Sequence, residues 1–144
     1  PPSLDALEMQ NRQSFSFGAI SLLGHDRFRR GFGHQPDEPL RPGDLLHVTF
    51  YWRANVAPRA DWWFELTLSD NTGQSVAQLK APLVSETYLT TLWQKDEVVR
   101  GEHDLPIPAD LAPDVYRLSV TLYPDAETEA GAAFLGTARV QKPE

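Results

Sequence analysis

The sequence predicts an all-β fold, an antiparallel β-sandwich (Ig-like or jelly-roll-like) of about seven to eight strands, and three observations carry that expectation. Large apolar residues alternate with polar ones over several separate runs, the period of strands with one buried and one wet face. Twelve prolines and nine glycines are spread along the chain, as punctuation between many short elements. Helical signal is nearly absent: the stretch richest in helix formers, 126–133, is short, contains Gly131, and reads as a loop or single turn.

Taken in order, Ser16–Leu23 is a strand with a blurred pattern. The segment Arg29–Pro42, with its glycines, prolines and charges, is expected as the longest surface loop. Pro42-Gly43-Asp44 turns into the clearest strand, 45–54. There Leu46, Val48, Phe50, Trp52 and Ala54 share one face, and His47, Thr49, Tyr51 and Arg53 the other. A helix would scatter these large residues round its axis. The next run, 62–70, sends Trp62, Phe64, Leu66 and Leu68 inward and Trp63, Glu65, Thr67 and Ser69 outward. Asp70-Asn71-Thr72-Gly73 is a tight turn, since Asn and Gly tolerate positive φ. Strands follow at 74–80, 97–107, 115–123 and 134–141. Tyr116, Leu118, Val120 and Leu122 point inward in the third of these. Tyr116 opens its strand just after a loop, where a sandwich tyrosine bonds its hydroxyl backward. Trp93, between strands, is expected to plug one end of the core.

The 144 residues suit one domain, 1–144, with core enough to fold without staples. There are no cysteines, which excludes disulfides, Cys-ligated metals and thiol nucleophiles. Twenty acidic against thirteen basic residues give a net charge of −7, which argues against nucleic acid or an anionic membrane surface as partner. No apolar run reaches the ~20 residues of a membrane span. The chain begins with Pro1 rather than Met, so it is expected to be a piece excised from a larger protein.

Catalytic constellations are missing from the pattern. There is no Gly-x-Ser-x-Gly elbow, no His-Glu-x-x-His helix and no phosphate-cradling glycine loop, and the acidic turn at Asp70 lacks calcium-loop spacing. His25-Asp26 and Glu102-His103-Asp104 are the only His–carboxylate clusters. Adjacent strand residues face opposite ways, so both read as surface polar contacts rather than metal sites. No catalytic residue, metal or cofactor is expected.

Read together, these pieces resemble a known family. The matching residues are Leu22-Leu23-Gly24-His25-Asp26, Pro42-Gly43-Asp44, Thr49-Phe50-Tyr51-Trp52-Arg53-Ala54, Thr90-Thr91-Leu92-Trp93 and Glu97-Val98-Val99. They continue through His103, Leu105-Pro106-Ile107-Pro108, Asp110-Leu111 and Tyr116 to Leu122-Tyr123. In this order they resemble the C-terminal extracytoplasmic β-sandwich domain of bacterial (Chloroflexota-type) polytopic membrane glycosyltransferases of the dolichyl-phosphate-mannose mannosyltransferase type, and of related uncharacterised membrane proteins. The family pattern has Gly where this chain has Asp96 and Asp114, and Tyr where it has His25. The resemblance implies a non-catalytic accessory domain on the extracytoplasmic side of the membrane. Any sugar transfer would lie in an absent membrane-embedded portion. It supplies no known ligand, and the expected partner is either a glycan or the parent membrane protein.

Two uses follow: glycan recognition, or a structural or protein-interaction module. The outward aromatics Tyr51 and Trp63 favour the first. Direct pairing of strands 45–54 and 62–70 as a hairpin, with Trp52 opposite Phe64, would set Arg53 opposite Trp63 and Tyr51 opposite Glu65. Directly opposed side chains lie ~4.5–5.5 Å apart at Cβ, so Tyr51, Arg53, Trp63 and Glu65 are expected to form one patch, either an Arg53–Trp63 cation–π pair that stiffens the hairpin or a candidate ligand-binding platform.

Overall fold

A computed structural model describes residues 11–30, 39–125 and 128–142. Over them the chain forms eight strands: β1 (Asn11–Ser16), β2 (Ile20–Arg29), β3 (Leu45–Ala54), β4 (Trp63–Ser69), β5 (Ser75–Pro82), β6 (Val98–Pro106), β7 (Asp114–Tyr123) and β8 (Gly131–Val140). The helical content among the described residues is one 3-10 turn, Thr90–Leu92. Two four-stranded antiparallel sheets result, one in the order β1-β2-β3-β6 and the other in the order β5-β4-β7-β8. The fold is an antiparallel β-sandwich.

Alternation builds the space between the sheets. Leu46, Val48, Phe50 and Trp52 of β3 meet Phe64, Leu66 and Leu68 of β4 and Leu118, Val120 and Leu122 of β7 in one continuous core. Phe50 and Phe64 touch edge to face at 5.4 Å between ring centroids, a favoured aromatic geometry. Trp93 is buried in the same cluster. The Tyr116 hydroxyl donates to the Ala112 carbonyl at 2.5 Å, the backward bond expected of it. At the 70–73 turn, Asp70 Oδ1 accepts from the Thr72 and Gln74 amides.

Several expectations are corrected. Ser16–Leu23 is two elements, because Gly18 turns at φ +92° and separates β1 from β2. The two ends of the proposed 29–42 loop are not loop-like. Arg29 is buried in β2, and Leu40 is buried and bridges Val140 in parallel; residues 31–38 lie outside the described residues. In the 126–133 stretch, 131–133 belong to β8, and 126–127 lie outside the described residues. The resemblance placed Asp96 at a glycine position, and Asp96 does adopt φ +68°, a left-handed geometry that Asp tolerates better than most residues. Asp114 is not among the positive-φ residues.

The hairpin is the largest correction. β3 pairs with β2 and β6, whereas β4 pairs with β5 and β7. β3 and β4, although adjacent in sequence, belong to different sheets and face each other across the core, so their outward faces lie on opposite sides of the sandwich.

Candidate functional site on the outer face of the second sheet

The four residues expected to form one patch are therefore divided two and two. On the outer face of the first sheet, Tyr51 is only 5% exposed. Its hydroxyl donates to Asp26 Oδ2 at 2.7 Å. Burial, then that hydrogen bond, pushes its pKa up to about 12. A ring so covered offers no stacking surface. Arg53 on the same face pairs with Asp96 at 2.9 Å.

The rest of that face is a web of polar contacts and ion pairs. His47 Nδ1 lies 2.8 Å from Asp104 and its Nε2 3.4 Å from Glu102. Arg30 pairs with Asp104 and Arg100 with Glu102, while the Phe28 ring lies against His47 at 5.0 Å. No group of three or more metal-ligating side chains is placed to hold an ion among the described residues.

The His–carboxylate clusters are not the surface contacts expected of them, because both histidines turn toward the core. In β6, alternation sends Glu102 and Asp104 outward and His103 inward, where its ring meets Phe64 at 4.5 Å. His103 Nε2 lies 3.0 Å from the Leu83 carbonyl, so that nitrogen carries the proton; burial lowers its pKa. In β2, Leu23 is an extra residue between Leu22 and Gly24, which pair with consecutive residues of β3. This bulge reverses the phase of the strand. His25 then lies opposite Phe50, fully buried, and is not a surface contact.

Trp63 and Glu65 project from the opposite side of the sandwich. Trp63 is 37% exposed and lies directly opposite Tyr123 of β7 and Pro82 of β5. Glu65 is flanked by Thr121 and Lys80. The Lys80 ammonium reaches to 4.7 Å from the centre of the Tyr123 ring, crossing the intervening strand as a cation over an aromatic face. Beside them is a depression of about 330 Å³ lined by Asp61, Trp63, Lys80 and Asp125.

Local bonds hold the rim in place. Asp61 Oδ1 accepts from the Thr91 amide at 3.2 Å and the Thr91 hydroxyl at 2.6 Å, and Asp125 Oδ1 accepts from the Thr128 amide at 2.8 Å. Burial, and after it the Glu65 and Glu129 carboxylates, raise the pKa of the Tyr123 hydroxyl, which stays protonated. The site is thus an aromatic face with held acceptors and the Lys80 ammonium, with no nucleophile–base pair among the described residues.

Of the expected residues, this cup retains Trp63 on its wall and Glu65 at its border. Sequence reasoning missed Asp61, Lys80, Tyr123 and Asp125. Tyr123 was legible, because Leu122 beside it points inward. Its proximity to Trp63 depends on pairing between strands sixty residues apart (123 against 63), which no local pattern encodes.

No family model matches the chain, and no curated protein matches it. Among solved structures it is similar to the crystal structure of the C-terminal domain of Wzt. The TM-score is 0.70 at 13% identity, over 99% of this chain and 91% of that one. At that identity the likeness establishes the shared β-sandwich fold.

Proposed function

We propose that this chain is a non-catalytic accessory β-sandwich that binds glycan through the Trp63–Tyr123 cup. We place it on the extracytoplasmic side of a bacterial membrane, as a domain of a glycosyltransferase-like membrane protein. The observation that carries the binding reading is Trp63, an indole kept exposed on a sheet face beside a depression whose other walls are Asp61, Lys80 and Asp125. Apolar surface with a few convergent polar groups is the usual composition of a small-molecule site. The negative face of an indole suits the weakly positive C–H face of a pyranose, and carboxylates accept from its hydroxyls. The likeness to the Wzt domain supports the sandwich as scaffold. The sequence resemblance supports the membrane context and the assignment of chemistry to another part of the parent.

A glycan array followed by calorimetry on the wild-type domain and Trp63→Ala tests the reading. Wild type is expected to bind at least one glycan, and Trp63→Ala to weaken it tenfold or more with little change in Tm. Wild type binding nothing, or a variant that binds as well, overturns the assignment.

A second reading, docking to the parent protein, is favoured by the outer face of the first sheet. There Tyr51 is covered and Arg30, Arg53 and Arg100 pair with Asp104, Asp96 and Glu102, a polar face on which a protein partner could exchange ion pairs.

A further inference from the structure

We infer that the Trp63 cup discriminates by charge, accepting neutral and amine-bearing sugars and rejecting uronic and phosphorylated ones. The inference rests on the glycan-binding reading and adds the substrate class.

The charges around the cup are uneven. Asp61 and Asp125 are two of its four lining residues. Glu65 lies beside Lys80 on the same face, and Glu65 and Glu129 both bear on the Tyr123 hydroxyl. Lys80, whose ammonium is drawn over the Tyr123 ring, is the cation among the residues that line the cup. An arriving carboxylate or phosphate would meet a net negative field, deepened by the −7 of the whole chain. At the few ångströms separating a stacked sugar from the rim, like-charge repulsion at a protein surface weakens binding on the order of tenfold or more.

The hydrogen-bonding inventory points the same way. Asp61 Oδ1 receives both Thr91 donors, so the carboxylate is held still, with its other oxygen outside those two bonds. An ionised carboxylate only accepts. It therefore matches a ligand rich in donors, such as a hydroxyl or an ammonium, and has nothing to offer a second anion. Lys80 supplies the donors that the ligand's ether and hydroxyl oxygens need, at a position where its charge is already shared with Tyr123.

The test uses an array whose neutral, amino and anionic glycans cover several stereochemistries. Glycans that bind are then compared by calorimetry with counterparts of the same configuration that differ only in charge (hexose, hexosamine, hexuronate, hexose phosphate). Binding of neutral or amino sugars with anionic counterparts at least tenfold weaker is expected. The gap should narrow in 1 M NaCl, where the Debye length falls to about 3 Å. Asp61→Asn keeps the acceptor for Thr91 and removes one charge, so it should raise the relative affinity for the anionic member. Anionic sugars bound as tightly as neutral ones would overturn the charge selection and leave glycan binding standing. An array on which nothing binds would overturn both.

Discussion

His25 has no exposed surface and no hydrogen-bond partner at either ring nitrogen among the described residues. Burial first, and then the Arg27 guanidinium, lower its pKa to about 4 from 6.5, against a smaller opposing pull from Asp26. The folded state therefore holds a neutral imidazole through a range in which the unfolded chain takes up a proton. Stability present above pH 6.5 is lost as pH falls from 6.5 toward 4, by up to about 3 kcal/mol at the lower limit. His103, also lowered by burial, adds loss of the same sign. Denaturant titrations at pH 7.5 and 5.0 should show this loss, and His25→Phe should flatten most of the slope, leaving the His103 share. A wild-type stability unchanged between these pH values would mean that water reaches the ring.

At the scale of elements, the crossing from the second sheet back to the first sets a tight packing constraint. A Cβ placed on Gly101 of β6 would lie well inside van der Waals contact distance of the Leu83 carbonyl oxygen, the same oxygen that faces His103 Nε2. Backbone leaving β5 thus lies directly on β6. Gly101→Ala must push the 83–97 connection outward, and overpacking of this kind costs typically 1–3 kcal/mol. Urea denaturation of the variant checks it, and a loss below about 0.5 kcal/mol would show that the connection yields freely. The same elements show what alternation can and cannot reveal. It gives β3 residue for residue and β7 and β4 to within a residue, because Phe50, Trp52, Phe64 and Leu118 each need a dry side. It does not give partners. Phe50 and Phe64 do touch, but across the core. Matching apolar to apolar cannot tell a neighbour along a ladder from one on the facing sheet, and so Tyr51 and Trp63 appeared to share a surface. The Leu23 bulge was hidden for a related reason. One extra residue reverses every later side chain, and the Leu22-Leu23 doublet and Gly24, a residue that often marks a bulge, do not fix where the phase changes.

On the scale of the whole molecule, neither sheet is assembled from one stretch of chain. The chain passes between sheets from β3 to β4, from β5 to β6 and from β6 to β7. β3 waits for β6, with Leu45 opposite Pro106, and β4 waits for β7, with Trp63 opposite Tyr123. Both inner faces enter one core, so a sheet formed alone would leave that apolar face in water. The domain should therefore unfold in one step, with tryptophan fluorescence, which reports buried Trp52, Trp62 and Trp93, following the same denaturant curve as far-ultraviolet circular dichroism. Refolding should be slow for the chain length, in the millisecond-to-second range of folds built on distant pairings. Trp52→Ala in the first sheet separates the alternatives. If the sheets are coupled, the ~3–5 kcal/mol lost from a large core aromatic moves both curves together, including the signal of Trp62 beside the second sheet. Two separated transitions, or a Trp52→Ala shift confined to one probe, would mean that each sheet stands on contacts of its own.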